Sequence, residues 1–246
     1  MLTNKTNIGA LFCQYFELKI ANSDELKQQI YQLRYQVLCE ELGHITPQTH
    51  PNRQEYDDYD NQAIHCAVIH KSSGKIAGSV RCVVPKAIPY ADLSLPFENI
   101  CSQQALEHMA QINRNSIIEI SRINVAQYFR RAKQHCQLST LEIQLSKQIA
   151  VILGLCTHII SKRLNRPDNY AIMEPALAYK YQALGADCQP CSEPFEFHGQ
   201  RKLYHLDYRA LEKNLKPSLV NMLHQVLACL TPQLAAHQQV NNGVNH

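Results

Sequence analysis

The sequence predicts a single α/β domain with a C-terminal helical extension, and three observations carry that prediction. Strand-period and helix-period segments alternate along most of the 246 residues. No internal repeat, low-complexity stretch or linker interrupts them. Hydrophobic residues make up 45% of the chain and charged residues 18%, which suits a packed core and argues against disorder.

The elements follow in order. Phe16, Leu18 and Ile20 have strand period, and Asn22-Ser23-Asp24-Glu25 then opens a helix with a capping residue and early acid. Leu26, Ile30, Leu33 and Val37 mark the buried stripe of that helix, and Gly43 ends it. A polar, proline-containing loop spans His44 to Tyr56. AIHCAVIH and KIAGSVRCVVP read as two strands of a hairpin turned at Ser72-Ser73-Gly74. Residues 86–115, with Pro89 and Pro96, are irregular apart from one short helix. SIIEISRINV (116–125) is the strongest strand signal. Ser139 and Glu142 form a capping box that opens a long helix stopped before Pro167. NYAIME is a strand, and Pro175 starts a helix ending at Gly185. PFEFHG and RKLYHLD are further strands, residues 210–236 are helical, and NNGVNH is a frayed tail. The expected division is therefore a domain at 1–209 and a helix and tail at 210–246 packed on it.

Several function classes are disfavoured. A net charge of +3 without a basic block does not point to nucleic acid. No apolar run reaches the length of a membrane span and no signal peptide is evident, so a cytoplasmic protein is expected. Of ten cysteines only Cys188 and Cys191 form a CxxC pair, and without a second pair no metal site is expected.

The chemistry-bearing signal is a set of charges. QEYDDYD concentrates acid, including Asp57 and Asp60, just before an apolar strand. Arg34 lies off the apolar stripe of its helix, Arg81 lies inside GSVRCVV, and Glu119 and Arg122 lie inside IIEISRINV. Charges in apolar strands are costly to bury unless paired. The expectation is that Arg34, Arg81 and Arg122 neutralise Asp57, Asp60 and Glu119 around one shared site. The alternative is a set of separately exposed charges on a wet sheet face.

LRYQVLCEELG with Arg34, EYDDYD, GSVR with Arg81 and EISR with Glu119 and Arg122 resemble, in order and spacing, the acyl-homoserine-lactone synthase family. The phrases YQLRYQVLCEELG, EYDDYD and EISRINVAQYFRRA are more similar still to its relatives, the N-acyl amino acid synthases and PEP-CTERM/exosortase-associated acyltransferases. The resemblance covers about residues 15–208 and implies a GNAT-type acyltransferase fold: a central mixed, mostly antiparallel sheet flanked by helices. It implies transfer of a fatty acyl group from an acyl carrier protein or coenzyme A thioester to the amine of an amino acid or similar small acceptor, with no tightly bound cofactor. Arg34, Asp57, Asp60, Arg81, Ser121 and Arg122 would bind substrate. Glu119 would take the proton of the amine, with a salt bridge to Arg81 or Arg122 as its alternative role. Asp57 and Asp60 would hold the amine or brace Arg34. The fold implies a bulge in the fourth strand, which would bring Glu119 and Arg122 to one face and free backbone N–H groups for an oxyanion. Tyr181, four residues before Gly185, would protonate or stabilise the leaving thiolate, with a half-buried packing role as its alternative.

Two departures qualify the resemblance. AQYFRRAKQHCQLS has no glycine where these folds usually cradle pyrophosphate, so Arg130, Arg131 and Lys133 would meet the phosphopantetheine and acidic surface of a carrier protein by charge attraction, with a solvated basic face as the alternative. Leu203 stands where these acyltransferases more often have proline, and CQPCSEP is unusual for them. An S-adenosylmethionine-dependent homoserine-lactone synthase is the alternative enzyme, opposed by the chain's length and its lack of tryptophan. A non-catalytic acyl- or carrier-binding module is the alternative outside enzymes. A Cys/His hydrolase is disfavoured because His65 and Cys66 point to opposite faces of a strand. Peripheral membrane contact would suit a long-chain product, although only Lys216 and His224 lend positive character near the C-terminal helix.

Overall fold

The computed structural model describes residues 7–85, 95–102, 105–107, 112–132 and 137–243, with side chains as far as His237. Helix α1 (Ile8–Tyr15) leads directly into β1 (Phe16–Ile20), and α2 (Asp24–Tyr35) runs on through a π-helical turn at Gln36–Glu41. The hairpin β2 (Ala63–His70) and β3 (Ile76–Val83) follows, then β4 (Ile117–Val125). Next come α3 (Gln127–Arg130), α4 (Thr140–Ser146), α5 (Ile149–Arg163), β5 (Asp168–Met173) and α6 (Pro175–Gln182). The chain closes with β6 (Cys188–Pro190), β7 (Phe195–Glu196), β8 (Gln200–Asp207), α7 (Tyr208–Asn214) and α8 (Pro217–Gly243).

The sheet runs β1-β2-β3-β4-β5-β8-β6, with β7 paired to β8. Every pairing is antiparallel except β4 with β5. That parallel ladder is short. It holds Ile117 to Asp168, Ile118 to Asn169 and Glu119 to Tyr170, and there it stops. β5 continues to Met173 against β8, so β4 and β5 diverge beyond Glu119.

The expected bulge is in β4. Arg81 pairs with Ser121, whereas Ser79 pairs with Asn124, so Arg122 and Ile123 together oppose Val80. Arg122 takes φ 53°, the left-handed region that a non-glycine residue enters only at a cost of about 1 kcal/mol or more.

Helix α5 is buried along most of its length and packs on β2, β3 and β4. Cys66, Cys82 and Cys156 join that core as small apolar side chains. Three differences from the sequence reading have local causes. Helix α1, capped by the Asn7 side chain, was not expected. The long helix after Ser139 is two helices bent by 47°, with the Ser146 hydroxyl donating to the carbonyls of Ile143 and Phe129 near the break. The 210–236 helix is also two, because Pro217 disfavours helical geometry at Lys216, and α8 then runs past 236 to Gly243. The last three residues, and Pro89, lie outside the described residues.

No single helix among the described residues is long and apolar enough to cross a membrane; the bent pair α4–α5 passes on composition but forms the core. Helix α8 lies against α1, α5 and β1 through Leu219, Met222, Leu223, Val226, Leu230 and Leu234. Leu230 is fully buried and Leu227 is 39% exposed. Leu230→Ala should therefore lower unfolding stability by about 2–5 kcal/mol in urea titrations, and Leu227→Ala by well under half of that.

Candidate functional site

The site begins with a buried charge network between α2 and the sheet. The Arg34 guanidinium donates from Nε to Glu55 Oε2 at 2.5 Å and from Nη1 and Nη2 to the two oxygens of Asp60 at 2.7 and 3.1 Å. Arg81 Nη1 donates to Asp57 at 2.6 Å and to Asp60 at 3.2 Å, while its Nε donates to Ser121 Oγ at 3.1 Å. Arg122, turned by the bulge onto the same side, reaches Glu55 Oε1 at 3.0 Å and Asp57 Oδ2 at 3.4 Å. Three guanidinium groups thus meet three carboxylates.

Local structure delivers each acid. The Glu55 N–H donates to the Tyr31 carbonyl of α2 at 3.0 Å, which holds the loop against the helix. Asp57 caps a 3-10 turn at Asp58–Gln62, and Asp60 returns the bond by accepting from the Asp57 N–H at 2.8 Å. Asp58 is exposed. Burial by itself would raise the Asp60 carboxyl, but Arg34 and then Arg81 hold it far below the usual carboxylate range. Glu55 is likewise lowered, its burial outweighed by Arg34 and Arg122.

Two expectations need correction. Asp57 and Asp60 do not form an unpaired acidic pocket for an amine: arginines already take their charge, which favours the bracing role. Glu119 is not an arginine's ion-pair partner among the described contacts; Glu55 occupies that place. Glu55 was missed because nothing in QEYDDYD separates it from exposed neighbours until the loop is docked on α2. Arg34 and Arg81, expected to bind substrate, have no exposed surface.

Glu119 is the remaining acid, 4% exposed. Its Oε2 accepts the Phe97 N–H at 2.9 Å, and around it lie Val83, Phe97 and Tyr170 of an apolar cluster. Burial pushes its carboxyl up to about 8, against the Phe97 N–H and the more distant Arg81 and Arg122. His65, beside Asp60, is pushed down to about 4 by burial and is neutral.

A cavity of about 750 Å³ opens where β4 and β5 diverge, bounded by α5 and α6. Ile120, Ser121, Arg122, Ala171, Met173 and Tyr181 are among its walls. Arg34, Asp57, Asp60, Arg81 and Glu119 do not line it; Glu119 is one residue from Ile120 and on the opposite face of β4. Tyr181 faces Gly154 of α5, where an added Cβ would lie 2.9 Å from the ring. Burial raises the Tyr181 hydroxyl to about 12, so it keeps its proton at ordinary pH. Arg130 also lines the cavity, ion-paired with Glu41, while Arg131 is exposed and Lys133 lies outside the described residues. The stacked rings of His44 and His198, 4.6 Å between centroids, border the cavity beside exposed Leu42. Leu203 is buried in the cluster that holds Phe97 and Tyr170. Cys188 is buried in β6, and no group of metal-ligating side chains occurs among the described residues.

Residues 33–139 match the family model described as the acetyltransferase (GNAT) domain. The fold is GNAT-like. Solved structures agree with this fold at low identity. The chain is similar to the acyl-homoserine-lactone synthase LasI, at 14% identity and TM-score 0.53 over 82% of this chain and 97% of that one. It is similar to the CoA-dependent acyl-homoserine lactone synthase BjaI, solved with SAM and isopentyl-CoA, at 16% and 0.55 over 87% and 89%. It is similar to FeeM, an N-acyl amino acid synthase from uncultured soil microbes, at 12% and 0.55 over 82% and 96%. No curated protein matches the chain in sequence.

Two measurements probe this site. Arg34→Met should cost about 3–5 kcal/mol in urea unfolding, because it strands two buried carboxylates. Glu119 has the opposite linkage: its folded pKa, about 8, lies above the ordinary 4.5. Its contribution to stability is full below 4.5 and is lost as pH rises through 8. Glu119→Gln should therefore melt like the wild type near pH 4.5 and above it at about pH 9.

Proposed function

We propose that this GNAT domain transfers a fatty acyl group from an acyl carrier protein or acyl-CoA thioester to the amine of an amino acid or similar small acceptor. The observation that carries the reading is the divergence of β4 and β5. It opens an apolar cavity suited to an acyl thioester, and the buried carboxyl of Glu119 stands on the other face of the same strand, next to the point of divergence. Cavities of this size are typical for small-molecule ligands.

The chemistry balances on residues of this chain. The acceptor's ammonium loses a proton to Glu119, directly or through water, and its nitrogen attacks the thioester carbon. Backbone N–H groups of β4 beyond Glu119 stand on the edge that β5 leaves and would stabilise the oxyanion. The C–S bond then breaks, and Tyr181 gives its proton to the departing thiolate. Arg122, part-exposed at the cavity and anchored on Glu55, suits an acceptor carboxylate, with Ser121 beside it. Arg34, Asp57, Asp60 and Arg81 keep Arg122 and Ser121 in place.

An acyl carrier protein is the favoured donor, because the glycine-free AQYFRRAKQHCQLS segment offers no tight pyrophosphate cradle. Arg131 and Lys133 would meet its acidic surface. A cytoplasmic location, peripheral contact of the C-terminal region with a membrane, and kinship with the PEP-CTERM/exosortase-associated group belong to the same reading. So does the division into a domain at 1–209 and a packed extension at 210–246.

Lipid extracts of cells overproducing the protein should contain a new N-acyl amino acid by mass spectrometry. A homoserine lactone would instead favour S-adenosylmethionine chemistry, and no new lipid would favour a binding module. Glu119→Gln should lower turnover by roughly 10²–10⁴ while remaining folded. Wild-type kcat/KM should rise with pH through about 8, and loss of that limb in Glu119→Gln would identify the base. Tyr181→Phe should lower kcat by a smaller factor, on the order of tens.

A further inference from the structure

Resting on the acyl-transfer reading, we propose that the C-terminal segment sets the acyl-chain length this protein accepts. Leu211 of α7, Leu215 of the junction and Leu219 of α8 form the closed end of the acyl cavity. The cavity wall passes from exposed Leu42 and Leu177 to Leu155, Leu215 and Leu219, each less than a tenth exposed. Along β5 it runs from Met173 to Asn169, roughly 13 Å at the rise of a strand. A hydrocarbon chain entering between β4 and β5 would follow that line past Tyr181 and Gly154.

The leucines of this end are held from two sides, with His158, Asp207 and Tyr208 also lining the cavity nearby. Leu215 and Leu219 pack with Leu155 in the main core, which α8 completes. Asn169, the polar residue nearest along β5, is already bonded to Ser161 Oγ and to the Leu206 carbonyl. The α7–α8 junction is clamped by the loop after α6. Lys216 N–H donates to the Leu184 carbonyl at 3.3 Å, and a Cβ on Gly185 would come within 2.3 Å of the Asn214 carbonyl oxygen. Gly185 has φ 108° as well, so no other residue fits that contact without strain. An end wall fixed in this way cannot recede to admit extra methylenes. A larger side chain there should exclude the longest chains, and shorter ones should still bind.

The test uses the purified full chain and saturated free fatty acids of increasing length, read by the rise in Tm on binding. Leu219→Phe and Leu211→Phe should each shorten the longest fatty acid that raises Tm. Leu227→Phe, on the exposed face of α8, should leave it unchanged. Products of cells carrying the same variants should shift toward shorter acyl chains, the long-to-short ratio falling roughly tenfold or more. If Leu219→Phe does not fold, Leu211→Phe, half-buried, carries the comparison. An unchanged length limit in a folded variant overturns the inference, as does failure of the wild type to bind any fatty acid. A shifted limit with no N-acyl product in any host supports the closed end and sinks the transferase reading instead.

Discussion

The structure around this site depends on one requirement: two arginine side chains, Arg34 and Arg81, are fully removed from water. A guanidinium cannot shed its proton to escape that cost, so carboxylates must come to it. Asp60 answers both arginines, Glu55 answers Arg34, and Asp57 answers Arg81. The acidic run before β2 is therefore a counter-charge delivered by a loop. Its reach into the interior ties α2, the 3-10 turn, β3 and β4 into one unit.

That unit explains a costly feature of β4. Arg122 sits in a left-handed conformation that glycine would adopt more easily. The bulge is retained with an arginine because the side chain then turns toward Glu55 and Asp57 instead of following the alternation of the strand. The same bulge lies in the stretch where β4 leaves β5, so the charge network and the cavity share one strand segment. Arg122 and Ser121 belong to both. With three positive and three negative groups already matched, Glu119 has no cation of its own and sits in an apolar cluster.

Much of the fold was legible before any coordinates. The alternation in FELKI reports a strand with one face on the core, AIHCAVIH is a strand buried on both faces, and capping residues at Ser23 and Ser139 mark real helix starts. Helix ends and breaks were less legible. Ser146 competes for carbonyls only because Phe129 lies beside it, and α8 gains its length by docking on α1 and α5. Both effects need partners distant in sequence.

The sequence by itself determined which residues must be paired: arginines inside apolar patterns cannot be left alone, so Arg34, Arg81 and Arg122 pointed to a common polar site. Only the tertiary structure decided who the partners are. Pair choice is a matter of distances of a few ångströms, and those are set by how the 55–60 loop seats on α2. That seating brought Glu55 in and left Glu119 to an apolar pocket. The packing of the C-terminal helix was expected, but only the tertiary structure puts Leu211, Leu215 and Leu219 of α7 and α8 in the cavity wall.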